Sequence, residues 1–166
     1  MNGLFGWTEL LPTRIVKGMA TLGPVGYWGK APGTNGSLAG LLWYSAFLYP
    51  IGPFPRFLLV VISIFLAIAF CGEAEKRMFK NDPGEIVLDE FVAMPICFLG
   101  LTPLMGTQNT WLFMIGGFLL FRLFDILKPM VLKKVQDLPA GLGIVAADIA
   151  AALCTCVTLH LIYWVF

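Results

Sequence analysis

Charge is scarce in this 166-residue chain: only 13% of its residues are Asp, Glu, Lys or Arg, roughly half the ~25% of an ordinary globular domain. Histidine is scarcer still, with His160 alone, which excludes a centre built from several histidines. The four cysteines, Cys71, Cys97, Cys154 and Cys156, lie in or beside apolar stretches, and none has zinc-ligand spacing. They read as small packing residues, not as a disulfide scaffold. Net charge is +1 and the basic residues are clustered, so no basic face exists to wrap a nucleic acid. A charged region ahead of a long apolar core is also missing from the start of the chain. Glu9 and Pro12 interrupt it, which argues against a secretory signal.

What is abundant is apolar surface. Hydrophobic residues make up 58% of the chain, aromatics 14%, and mean hydropathy is +0.84. A soluble fold of this length could not hide that much, so the excess faces lipid. The expected architecture is an all-α, polytopic membrane helix bundle. Five apolar stretches stand out, at about 38–51, 57–72, 91–104, 111–127 and 149–166. Three of them approach the ~20 residues that span a bilayer. The first and third are shorter, but each abuts a polar motif into which its helix could continue. Ahead of them, residues 1–28 read as an amphipathic segment on the membrane surface, with Arg14 and Lys17 toward the headgroups, and residues 29–166 as the integral membrane domain. Five spans place Arg14, Lys17, Lys30, Lys76, Arg77, Lys80, Lys128, Lys133 and Lys134 on one side and leave Arg56 on the other. The excess of positive charge makes the crowded side cytoplasmic.

Four motifs carry chemistry, all at that side. Gly29-Lys30-Ala31-Pro32-Gly33-Thr34-Asn35-Gly36-Ser37 opens the first span. Its glycines permit close backbone approach, a helix N-terminus offers unpaired N–H groups, and Lys30, Thr34, Asn35 and Ser37 add donors, a combination suited to phosphate. It lacks the Gly-Lys-Ser/Thr of a Walker loop. Glu85-Ile86-Val87-Leu88-Asp89-Glu90-Phe91 leads into the third span. There Glu85 and Asp89 would share a helix face, and three carboxylates entering an apolar helix call for a hard divalent cation such as Mg²⁺. In Phe121-Arg122-Leu123-Phe124-Asp125-Ile126-Leu127-Lys128-Pro129, Arg122, Asp125 and Lys128 follow at i, i+3, i+6. An arginine two turns below Lys128 needs a carboxylate or a phosphate, and Asp125 could serve as its simple intrahelical partner. Gly141-Leu142-Gly143-Ile144-Val145-Ala146-Ala147-Asp148 opens the last span with one aspartate, which alone would pass for an N-cap. Three helices bringing carboxylates to one membrane face make a metal and phosphate site the stronger reading.

In this order the motifs PGTNGSLAG, EIVLDEF, FRLFDILKP and GLGIVAAD resemble the bacterial phosphatidylglycerophosphatase A family, over about residues 29–149. The resemblance implies a Mg²⁺-dependent, multi-pass phosphatase of the bacterial inner membrane. Its reaction would convert phosphatidylglycerophosphate to phosphatidylglycerol and phosphate, the last step of that lipid's synthesis. Carried over by position, it implies Asp89, Glu90, Asp125 and Asp148 as metal ligands, with Asp89, Asp125 and Asp148 catalytic. Lys30, Thr34, Asn35, Ser37, Arg122 and Lys128 would hold the phosphate. One departure stands out: the family pattern has two adjacent aspartates at the last helix, and here the first is Ala147. This leads to the expectation of an inactivated variant.

Two rival readings remain. A non-catalytic cation or lipid carrier would also place carboxylates in a bundle, but would need charge through the outer half as well. Cys71 and Arg77 match the bare Cys-x5-Arg spacing of cysteine phosphatases, although Glu73 and Glu75 between them would repel phosphate.

Overall fold

The structure is a computed structural model, and it describes residues 5–101, 110–127 and 141–165. Among them every regular element is helical. Six α-helices follow in order: α1 (Thr13–Ala20), α2 (Pro32–Trp43), α3 (Pro53–Met78), α4 (Leu88–Ala93), α5 (Thr110–Leu127) and α6 (Leu142–Val165). The expected all-α class holds; the expected count of five spans does not. Among the described residues three helices, α3, α5 and α6, are long and apolar enough to cross a membrane.

The two short stretches differ for local reasons. Helix α2 has twelve residues and runs into a five-residue π-helical turn, Tyr44–Leu48. Together they reach ~25 Å at about 1.5 Å per residue, short of the ~30 Å hydrocarbon core. In the 91–104 stretch, α4 ends at Ala93 and tightens into a 3-10 turn, Met94–Phe98. Pro95 lies inside that turn and has no N–H for an α-helical bond. All of Val92–Phe98 is buried. The stretch is apolar because protein surrounds it, not because lipid does.

This half-length segment is the central plug of the bundle. Helix α4 packs against α2, α3 and α6. Its far end joins a core with Tyr44, Phe121 and Leu159, where the Tyr44 and Phe98 rings stack at 4.7 Å. Its near end joins a second core with Val16, Ala67, Phe70, Cys71 and Val145. The approach to α2 is close: a Cβ on Gly40 would stand 2.6 Å from the Phe91 carbonyl oxygen, so only glycine fits. By contrast α5 shows most of its apolar surface outward.

Helix α1 buries Val16 and Ala20 against the bundle and leaves Ile15 and Met19 exposed. Arg77, at the end of α3, holds this segment in place. Its guanidinium pairs with Glu73 at 2.7 Å and donates to the carbonyls of Leu11 (2.7 Å), Thr8 (3.1 Å) and Glu9 (3.1 Å).

At the opposite end, Arg56 is 6% exposed. It donates to the carbonyl oxygens of Leu48 (2.8 Å), Tyr49 (2.9 Å) and Ile51 (2.6 Å). The last carbonyls of a helix lack intrahelical partners, so this arginine closes the end of the α2 segment from the following helix. Arg56→Leu removes those donors and strands buried acceptors. It is expected to cost ~3 kcal/mol, a fall in melting temperature of roughly 6–12 °C, measured by thermal unfolding in detergent.

Candidate active site

The start of α2, the start of α4, the end of α5 and the start of α6 meet around one polar cavity of about 280 Å³. Its wall includes Gly33, Thr34, Asp82, Asp89, Glu90, Arg122, Asp125 and Asp148. The motifs read from the sequence thus converge at one end of the bundle.

Three carboxylates form the heart of the cavity. One oxygen from each of Asp89, Glu90 and Asp148 lies within 4.8 Å of the other two. Asp89 and Asp148 are buried, at 5% and 4% exposed. Oδ1 of Asp89 and Oε2 of Glu90 are buried with no hydrogen-bond partner. Buried carboxylate oxygens without partners are costly, and oxygen ligands in a tight group are the donor set of a hard divalent cation. The residues present therefore fit such an ion. Asp89 and Glu90 lie outside the three membrane-length helices, and burial pushes both carboxyls above their usual range. The Asp89 charge raises Glu90 further.

Asp125 stands beside this trio, not within it. It is 7% exposed and pairs with Arg122 Nη1 at 2.8 Å, one helical turn away. The same Nη1 donates to Ser37 Oγ at 3.2 Å and lies 4.0 Å from Glu90 Oε1. Arg122 therefore ties α5 to α2 and faces the acidic trio, while its buried Nε–H has no partner. Gly33 allows this closeness, because a Cβ there would collide with Glu90 Oε1.

The Gly-rich opening of α2 divides its tasks. Gly33 and Thr34 line the cavity in the first turn of a helix whose N-cap, Ala31, makes no side-chain cap. Their N–H groups are positioned as anion donors. Ser37 is buried and donates to the Gly33 carbonyl at 2.8 Å. Asn35 donates to the Trp28 carbonyl, bracing the preceding turn. Lys30 is exposed, off the cavity wall. Lys128 lies outside the described residues. Glu85 does not share a helix face with Asp89, because α4 begins only at Leu88. It pairs instead with Lys80 at 3.4 Å. Ala147 is 3% exposed and is not part of the wall.

The Cys-x5-Arg match does not form a phosphate loop. Cys71 is fully buried on a helix, and Arg77 is engaged with Glu73 and the N-terminal carbonyls. Asp82 and Gly84 are wall residues outside the four motifs. Both sit in the Asp82-Pro83-Gly84 turn just before the acidic motif.

The sequence profile of phosphatidylglycerophosphatase A matches residues 18–163. The chain belongs to the phosphatidylglycerophosphatase A family. It is therefore an enzyme of the phosphatase class. Two relatives carry the family's name. One, from Escherichia coli K12, is 32% identical over 79% of this chain and 73% of its own length. The other, from Haemophilus influenzae, is 33% identical over 81% of this chain and 80% of its own. A third relative, from Bacteroides thetaiotaomicron, is 30% identical over 95% of this chain and 96% of its own. It bears the provisional name phosphatidylinositol-3-phosphatase. No solved structure matches the chain.

Proposed function

We propose that this chain hydrolyses the terminal phosphomonoester of phosphatidylglycerophosphate, giving phosphatidylglycerol and phosphate, with Mg²⁺ and at the cytoplasmic face of the bacterial inner membrane. The observation that carries this reading is the meeting of three carboxylates, two of them buried, with Arg122 at one end of a bundle whose sides are apolar. Such a place is within reach of a lipid headgroup.

Charge decides the cation. Among the described residues the wall brings Asp82, Asp89, Glu90, Asp125 and Asp148 against Arg122 alone. A phosphate dianion would be repelled from that wall. Asp89, Glu90 and Asp148 would hold Mg²⁺, which when bound supplies neutralisation of charge at the phosphoryl oxygens. The N–H groups of Gly33 and Thr34 then donate to those oxygens, and Arg122 adds its positive charge from α5. Asp125, clamped by Arg122, takes the proton of the attacking water at a carboxylate oxygen. The new P–O bond forms in line as the bond to the headgroup oxygen breaks. That oxygen, on the opposite face of phosphorus, takes a proton from bulk water and leaves as the alcohol, and Asp125 gives its proton back to solvent. Ser37 and Asn35 hold the loop and Arg122 in register. Lys30, on the exposed rim, adds positive field for an anionic headgroup.

The Bacteroides thetaiotaomicron relative favours a second headgroup, because it matches nearly the whole of both chains. Phosphatidylglycerophosphate and phosphatidylinositol 3-phosphate share one piece of chemistry. Each is a lipid phosphomonoester whose neighbouring carbon bears a free hydroxyl. A carrier gains no support: Arg56, the buried charge at the far end, is spent on carbonyls.

The test is phosphate release by the purified chain from both lipids in detergent micelles. The expected result is Mg²⁺-dependent release from phosphatidylglycerophosphate, faster than from phosphatidylinositol 3-phosphate and abolished by chelation. Release that survives chelation contradicts the metal, and the reverse preference transfers the assignment to the inositol lipid. Ala147→Asp belongs in the same assay. An inactivated variant predicts a rise of about 100-fold or more on restoring the acid, and an unchanged rate shows that the carboxylates present suffice.

A further inference from the structure

Asp82 is an exposed carboxylate on the cavity wall, outside the acidic trio. Its placement is built rather than incidental. The backbone at Asp82 is left-handed, with φ of 46°, a conformation that aspartate tolerates better than most residues. Its N–H donates to Glu75 Oε1 at 3.0 Å, which ties the turn to the end of α3. On the other side, Ile86 N–H bonds the Pro83 carbonyl at 2.9 Å, and Lys80 pairs with Glu85 at 3.4 Å. The loop between α3 and α4 thus holds Asp82 on the wall of the cavity.

A negative group there is unfavourable toward phosphate, and Asp82 is not needed for the trio. An ionised carboxylate only accepts hydrogen bonds. The neutral donor that a lipid phosphomonoester of the proposed class brings beside its phosphate is the hydroxyl on the neighbouring carbon. We infer that Asp82 accepts a hydrogen bond from that hydroxyl and so selects lipids whose phosphomonoester has a free hydroxyl on the adjacent carbon. This rests on the phosphatase reading above and deepens it, since it names the part of the headgroup that is read. Asp82 is a specificity residue, with no part in the proton transfers.

The class predicts its own exclusions. Phosphatidic acid carries an acyl ester on the carbon next to its phosphate carbon and offers no donor. A 1-acyl lysophosphatidic acid has the hydroxyl but no second glycerol. The experiment measures kcat/KM for phosphatidylglycerophosphate, 1-acyl lysophosphatidic acid and phosphatidic acid in one detergent, with the unaltered chain, Asp82→Ala and Asp82→Asn. The unaltered chain is expected to prefer the two hydroxyl-bearing lipids by about tenfold, the scale of one exposed hydrogen bond to a charged acceptor. Asp82→Ala is expected to bring that preference to within about twofold, through KM, while phosphatidic acid turnover stays within about twofold. Asp82→Asn keeps an acceptor carbonyl and recovers part of the preference.

An equal fall on all three lipids assigns Asp82 to loop structure and overturns the inference, as does a preference that survives in Asp82→Ala. The two levels of the reading fail differently. No phosphate release from any lipid by the unaltered chain sinks the phosphatase assignment, whereas release from all three at equal rates sinks only the role of Asp82.

Discussion

Asp148→Asn is expected to lower phosphate release by about 10³-fold or more while leaving the fold intact. The substitution keeps the shape of the side chain and removes one of three charges that converge within 4.8 Å. Losing a ligand from a three-carboxylate set weakens cation binding, and with it the charge neutralisation a phosphate needs here. Asp89→Asn is expected to act alike, because its Oδ1 is one of the buried oxygens with no protein partner. Stability is expected to rise. Without the cation these carboxylates repel one another in a desolvated site, so removing one charge relieves the apo protein. Phosphate release and thermal unfolding of the same preparations separate the two effects. A variant that loses activity and stability together would mark Asp148 as structural.

The second large effect belongs to Arg122. Arg122→Lys is expected to cost about 10²-fold in kcat/KM, and Arg122→Ala about 10³-fold. The guanidinium bonds Asp125 and Ser37 at once and reaches toward Glu90. A lysine places one ammonium where a planar fork is required and cannot serve three partners with the same geometry. Arg122→Ala also leaves Asp125 without its clamp beside the trio. If Arg122 served only to hold Asp125, the double variant Arg122→Leu/Asp125→Leu would be no slower than Asp125→Leu alone. The mechanism predicts that it is slower still, because the positive charge Arg122 brings to the phosphate is lost as well.

Much of this site was legible in the amino-acid sequence, because its parts are charged residues in stretches where charge is costly. Asp89, Asp125 and Asp148 each interrupt or open an apolar run, and that cost marks them as one group in the sequence. What the sequence could not separate was their grouping in space. Glu90 completes the trio and Asp125 does not, a distinction set by how α5 is rotated and by the Arg122 contact. Glu85 looked equivalent to Asp89 by helical spacing, but the helix starts at Leu88. Asp82 depends on a left-handed loop residue, which leaves no periodic trace. The count of spans failed for a related reason. Apolar runs report burial without saying whether lipid or protein provides it. Val92–Phe98 is enclosed by other helices and broken by Pro95.

The proposed holding of a divalent cation by Asp89, Glu90 and Asp148 is tested most directly by a Mn²⁺ titration, Mn²⁺ standing in for Mg²⁺, of the full chain in detergent, followed by electron paramagnetic resonance. Saturable binding by the unaltered chain, displaced by Mg²⁺ and lost in Asp89→Asn/Asp148→Asn, is the predicted result. Equal binding by the two proteins, or none by either, would contradict it.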